Sequence, residues 1–80
     1  MFKNQILSHQ TDEEKRQVLH QSWINKAFVL VQLDLYSISV IPAQFMGKVD
    51  GILKNRVIFQ KEGYLKSYQL AEITAVEKVV

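Results

Sequence analysis

The chain of 80 residues carries a formal net charge of +2 and contains no cysteine. A chain this short forms one core and leaves little room for a deep, dry pocket, and without cysteine it has neither disulfide bonds nor cysteine-ligated zinc. Its first residues lack the apolar run of a signal peptide, and its longest apolar run, residues 27–31, is far shorter than the roughly 20 residues that span a bilayer. We therefore expect a cytoplasmic protein that does not contact membranes.

Residues 1–10 form a predicted leader ahead of a single domain at residues 11–80. The domain begins with a predicted helix at residues 12–25, because Thr11 followed three residues later by Glu14 is a capping box. Acidic residues in the first turn also suit the positive end of the helix dipole. A helix of this length is marginal on its own, so it must dock on the rest of the domain.

The apolar side chains of this helix are spaced three to six residues apart, which places them on one face: Val18, Leu19, Trp23 and Ile24. We expect the helix to dock through Leu19 and Trp23. The same face, with Leu19, Trp23 and Ile24, is also the candidate surface for a protein partner or for self-association. The simpler interpretation is that Trp23 only seals one end of the β-structure that follows.

After Lys26 the sequence changes to a period of two. Every second position is apolar at Val29, Val31, Leu33 and Leu35, and this pattern predicts a strand with one buried face. Two positions remain open for the turn that follows, one near residues 36–37 and one at Pro42, which marks an edge, a bulge or a break.

Residues 44–53 are the predicted second strand, in which Gly47 indicates a bulge or a sharp bend. Turn signals at residues 50–51 and 54–55 compete for the next hairpin. We favour the turn at residues 54–55, with Gly51 as a kink within the strand.

Two further strands are predicted at residues 56–60 and 64–69, with a turn at residues 61–63 between them. A spacing of three then indicates a 3₁₀ turn that leads into a last short strand: Leu70, Ile73 and Val76. The predicted fold class is α+β, an N-terminal helix followed by a small four- to five-stranded antiparallel β-barrel.

No pattern of catalytic or metal-binding residues stands out. His9 and His20 would lie about 16 Å apart on a continuous helix, too far to share a metal ion. The serines lack a Gly-x-Ser-x-Gly elbow, and the glycines are too scattered for a phosphate-binding loop. We therefore expect no enzymatic activity, no metal site and no cofactor.

A basic stretch lies in the second half of the chain and comprises Lys48, Lys54, Arg56, Lys61 and Lys66. Such side chains can neutralise phosphate, and an exposed aromatic ring such as that of Tyr64 can stack on bases. The favoured interpretation is that the aromatic residues fill the core and the lysines keep the surface hydrated, because Asp50 and Glu62 interrupt the stretch.

The second half also resembles the YolD-like family of Gram-positive bacteria and their phages. The resemblance lies in the segments at residues 47–53, 56–59 and 70–76, and the order of a helix before a barrel is shared with Sm-like and SH3-like barrels. It implies a bacterial or phage accessory protein linked with the DNA-damage response, without known catalysis, and it assigns no site residues. The leading hypothesis is thus a non-enzymatic regulatory protein that binds a protein partner or itself, and the alternative is an RNA- or DNA-binding Sm-like barrel.

Overall fold

The computed structural model describes residues 6–36 and 41–79. It contains one helix, five strands and a 3₁₀ turn: α1 (Asp12–Asn25), β1 (Phe28–Tyr36), β2 (Pro42–Leu53), β3 (Arg56–Lys61), β4 (Tyr64–Gln69), the turn at Leu70–Glu72, and β5 (Ile73–Lys78). The predicted order of a helix before short antiparallel strands is confirmed. Residues 1–5 of the predicted leader lie outside the described residues, and so do residues 37–40 of the predicted turn between β1 and β2.

The five strands form one antiparallel sheet in the order β4-β3-β2-β1-β5. β4 and β5 are therefore the two edges, and within the described residues no strand pairing joins them. The fold prediction is confirmed as a helix followed by a five-stranded antiparallel sheet, and this sheet is open between β4 and β5. Pro42 is the first residue of β2, where a strand tolerates the missing N–H.

Helix α1 begins and ends for the reasons that its sequence indicates. The Glu14 N–H donates to Thr11 Oγ1 (3.2 Å), and the Thr11 N–H donates to Glu14 Oε1 (2.8 Å), so both halves of the capping box are formed. At the other end Lys26 adopts a left-handed conformation with φ of 52°, and its N–H donates to the carbonyl of Trp23. The predicted bounds of the helix are confirmed.

The buried face of α1 consists of Lys15, Leu19 and Ser22, which lie one and two turns apart. The prediction that the helix docks through Leu19 is confirmed, since Leu19 is fully buried, whereas Trp23 is 39% exposed and Ile24 is 65% exposed. Relative to Lys15 at 100° per residue, Trp23 lies at the flank of the docked face and Ile24 lies on the opposite side. The helix is thus oriented by Leu19 together with two polar residues.

Lys15 is 4% exposed, although it carries a charge. Its Nζ donates to the carbonyls of Leu70 (2.9 Å) and Ile73 (2.7 Å) and lies 3.0 Å from Asp12 Oδ1. An ammonium group has three N–H donors, so every donor has a partner. Lys15 therefore ties α1 to the 3₁₀ turn and to the start of β5.

The core lies between α1 and one face of the sheet. The alternation predicted for β1 is confirmed at Val29, Val31 and Leu33, which are buried, and is wrong at Leu35, which is 62% exposed beyond the register shift between Gln32 and Leu33.

An aromatic cluster adds to this core: the Phe45 ring lies 5.2 Å from Phe59 and 5.4 Å from Tyr68 between centroids. Phe59 is buried in the core and Phe45 and Tyr68 pack against it, as the favoured interpretation expects, whereas Tyr64 is 51% exposed and does not fill the core.

The β2–β3 hairpin turns at residues 54–55, as predicted. The register shifts between Val49 and Gly51, which confirms a kink beside Gly51. The pairing of β2 with β1 stays regular through Gly47, so Gly47 is not a bulge. A Cβ at Gly47 would lie 2.9 Å from the backbone oxygen of Gln60, and this close approach of β3 requires glycine there.

Candidate functional site

The β5 edge of the sheet is covered by residues just before α1. The Gln10 N–H donates to the carbonyl of Thr74 (2.8 Å). The side-chain amide of Gln10 accepts from the Val76 N–H (2.9 Å) and donates to the Val76 carbonyl (3.2 Å). Gln10 thus satisfies three of the backbone groups that a sixth strand would otherwise pair with, the Thr74 carbonyl and both groups of Val76.

A second glutamine amide holds this covering segment in place. Gln32, on β1, is 1% exposed; its Oε1 accepts from the Leu7 N–H (2.8 Å) and its Nε2 donates to the Leu7 carbonyl (2.9 Å). Thr74 Oγ1 and Gln44 Nε2 complete the contacts of this amide, both at 3.0 Å. Residues 6–10 are therefore held on the sheet by the side-chain amides of Gln32 and Gln10. Each amide bonds to both the N–H and the C=O of one residue, as a neighbouring strand would.

The opposite edge, β4, follows a tight two-residue turn. Glu62 and Gly63 both have positive φ, 49° and 87°, which is typical of the hairpin turns that match the twist of a sheet. Lys61 and Tyr64 flank this turn as partners, and in such a hairpin the flanking pair is hydrogen-bonded. Alternation then directs the backbone groups of Leu65 and Ser67 away from β3.

A hydrogen bond at Gln69 agrees with this alternation and marks where the unpaired edge of β4 ends. The Gln69 N–H donates to Glu72 Oε1 (2.8 Å), so it also points away from β3 and has a partner. We name the backbone N–H and C=O groups of Leu65 and Ser67 the open edge. Within the described residues no strand pairs with them, because β4 ends the sheet.

The side chains beside the open edge are accessible. Five of the six side chains of β4 are exposed, and Tyr68 alone is half-buried. Register with β3 places Tyr64, Lys66 and Tyr68 on the core side of the sheet, and Leu65 and Ser67 on the outer side. Exposed Tyr64 and Leu65 beside unpaired backbone groups form a template for another strand.

The basic stretch is not one patch. Arg56 and Lys61 lie at the two ends of β3, about 16 Å apart along the strand. Lys54 lies in the β2–β3 turn, and its backbone carbonyl accepts a hydrogen bond from Arg16 Nη1 (2.8 Å). Lys48 lies on β2, and its Nζ is 4.9 Å from the centroid of the Phe28 ring.

Four of the six residues predicted to contact nucleic acid are on or beside β4: Tyr64, Lys66, Lys61 and Arg56. Lys66 is on β4 itself, and Lys61 pairs with Tyr64 across the hairpin, with its Nζ 5.3 Å from the Phe45 ring centroid. Arg56 Nη1 donates to Ser67 Oγ (3.1 Å), which places a guanidinium beside the open edge.

The predicted partner surface on α1 is divided by the structure. Leu19 is fully buried in the core, so it cannot contact a partner, and this part of the prediction is wrong. Trp23 and Ile24 are exposed but lie on different sides of the helix. Sequence reasoning missed another exposed apolar set, which lines an open groove of about 560 Å³ that includes Phe28, Met46 and Val79.

Among the described residues no group of three or more histidine, aspartate or glutamate side chains converges in a way that could hold a metal ion. Over residues 6–36 and 41–79 no helix is both long enough and apolar enough to cross a membrane.

Comparison with known proteins returns no match to any protein family, curated protein or solved structure. The resemblance to YolD-like proteins therefore stays a prediction.

Proposed function

We propose that this protein is a non-enzymatic accessory protein of the bacterial cytoplasm that binds a protein partner. The partner contributes an extended segment, which adds to the sheet beside β4 as a sixth strand. The observation that carries the proposal is the contrast between the open edge at Leu65 and Ser67 and the β5 edge, which Gln10 covers. The resemblance to YolD-like proteins extends the proposal to partners that act in the DNA-damage response.

The open edge offers enough interaction for specific but moderate binding. Its four backbone groups would each form one hydrogen bond, and together these contribute about 2–6 kcal/mol. Contacts of the partner with exposed Tyr64 and Leu65 add about 0.2–1 kcal/mol for each cross-strand pair. Because ordering an extended segment offsets part of this gain, we expect dissociation constants of roughly hundreds of micromolar.

The test is a matched pair of substitutions at Ser67. Ser67→Pro removes the N–H that faces the partner and leaves the pairing with β3 intact, whereas Ser67→Ala keeps the N–H. Both variants lose the contact with Arg56, so their difference isolates the backbone group. Immobilised wild type and Ser67→Ala should retain the same protein from a nuclease-treated lysate, and Ser67→Pro should lose it.

A partner retained equally by folded Ser67→Pro would contradict the proposal. Thermal unfolding of each variant shows whether the fold survives, and Leu65→Pro is a second edge variant should Ser67→Pro unfold. Light scattering of the purified protein identifies a second copy as the partner if an oligomer disappears in Ser67→Pro.

Nucleic-acid binding, the alternative function, is tested with the same variants and a single-stranded oligonucleotide. Phosphates are recognised by side-chain cations, so affinity for a single-stranded oligonucleotide should then fall steeply with salt and with Arg56→Gln. Such binding, unchanged in Ser67→Pro, would overturn the proposal in favour of the nucleic-acid alternative.

A further inference from the structure

We infer that the segment added beside β4 carries two adjacent acidic residues followed by two apolar residues. The inference rests on the proposed function, since it specifies the chemistry of the partner at the same open edge. It comes from the distribution of charged and apolar side chains along β4 and β3.

Cations lie on both sides of the sheet at the centre of the open edge. Lys66 is exposed and on the core side, together with Tyr64 and Tyr68. The guanidinium of Arg56 is on the outer side, where it donates to Ser67 Oγ. Successive residues of a strand point to opposite faces, so the two partner residues opposite Lys66 and Ser67 each meet one cation.

The acidic groups near β4 lie at its two ends. Glu62 is in the turn that precedes β4. Glu72 follows β4, and its Oε1 accepts a hydrogen bond from the Gln69 N–H. Lys61, opposite Tyr64, adds a further cation near the turn. The centre of the edge is thus basic, which favours carboxylates there.

The partner residues expected to be apolar lie opposite Leu65 and Tyr64, between Lys66 and the turn at residues 62–63. Tyr64 and Leu65 are about half exposed and project to opposite faces. An added strand that runs antiparallel to β4, as all neighbours in this sheet do, meets Ser67 first, then Lys66, Leu65 and Tyr64. The expected order in the partner is therefore acidic, acidic, apolar, apolar.

The same charges disfavour a second copy as the occupant. Two β4 strands paired antiparallel about the open edge would pair Leu65 of one copy with Ser67 of the other and place their two Lys66 side chains directly opposite each other. Like charges across paired strands are destabilising, whereas a partner carboxylate opposite Lys66 is attracted to that lysine, and one opposite Ser67 is attracted to Arg56.

Synthetic peptides test the inference directly. The probe is acetyl-Thr-Glu-Glu-Val-Val-Thr-amide, and its counterparts replace both glutamates by glutamine or reverse the order to Val-Val-Glu-Glu. Binding is followed by the backbone amide signals of Leu65 and Ser67 in nuclear magnetic resonance spectra of the full chain. We expect the Glu-Glu peptide to bind about fivefold more tightly than the Gln-Gln peptide, as two exposed ion pairs allow, and more tightly than the reversed peptide.

A matched charge pair locates the effect. Lys66→Gln should reduce by about half the ratio of the affinity for the Glu-Glu peptide to that for the Gln-Gln peptide. Lys78→Gln, on β5, should leave this ratio unchanged. Equal affinity for the Glu-Glu and Gln-Gln peptides would overturn the acidic preference. Absence of any shift at Leu65 and Ser67 with the Glu-Glu peptide would overturn the inference as well.

The two proposals fail separately. Strand addition stands, and only the acidic preference fails, when both peptides shift Leu65 and Ser67 to the same extent. The proposed function fails when folded Ser67→Pro retains the same lysate protein as Ser67→Ala, whatever the peptides do.

Discussion

β4 and β5 end the same five-stranded sheet, but their outer edges are treated in opposite ways. At β5 the amide of Gln10 pairs with both backbone groups of Val76, whereas at β4 the backbone groups of Leu65 and Ser67 face away from the domain. Two unpaired edges would let copies of the chain join head to tail without limit. Covering Thr74 and Val76 disfavours strand addition at β5, so among the described residues β4 is the edge that favours a partner.

The largest expected effect comes from loosening the start of β5. Lys15→Met keeps the bulk of the side chain but leaves the carbonyls of Leu70 and Ile73 without their donor. Each buried unsatisfied group costs about 1–3 kcal/mol, so for two carbonyls we expect the free energy of unfolding to fall by about 2–6 kcal/mol. Urea denaturation measures the change, and Gln17→Met, at an exposed position of the same helix, is the control. Equal stability of the two variants would show that the Lys15 contacts contribute little.

Uncovering the β5 edge should have the next largest effect. Gln10→Glu has the same shape but cannot donate to the Val76 carbonyl. We expect a loss of about 1–2 kcal/mol in unfolding free energy and, because a second edge is freed, an increase in mass with concentration in light scattering. Gln21→Glu, exposed on α1, controls for the added charge. A variant as stable and as monodisperse as this control would contradict the role assigned to Gln10.

The smallest effect concerns the turn that sets the alternation along β4. Glu62 adopts a positive φ of 49°, which asparagine tolerates better, and asparagine before glycine is the favoured pair in such turns. Glu62→Asn should raise the unfolding free energy by about 0.5 kcal/mol and leave capture of the partner through the open edge unchanged. Destabilisation in urea would mean that the turn is not of this type, and Glu62→Ala provides the matched comparison.

Local signals in the sequence predicted most of the fold. The capping box of Thr11 and Glu14 set the start of α1, the alternation at Val29 and Val31 set β1, and turn dipeptides set the hairpins. These signals depend on contacts between residues that are close in the chain, so one segment is enough to read them. Trp23 was misplaced because spacing defines an apolar face but does not say which part of it docks.

The contacts that distinguish the two edges could not be predicted in this way. Gln10 pairs with a residue 66 positions away and Gln32 with one 25 positions away, and a glutamine in either place carries no pattern. Lys15 was equally hidden, because a lysine on a helix is exposed in most proteins. The open edge itself required the strand order, which periodicity does not determine.

Lys15 also bears on how so short a chain stays folded. Domains of this size commonly depend on a disulfide bond or a structural metal ion, and here three oxygen atoms from Asp12, Leu70 and Ile73 surround one ammonium group. The lysine acts as a built-in cation, covalently attached at one end, that cross-links residues 55 and 58 positions apart. This cross-link needs no oxidising compartment and cannot be removed by a chelator, so neither reductant nor EDTA should lower the melting temperature through it.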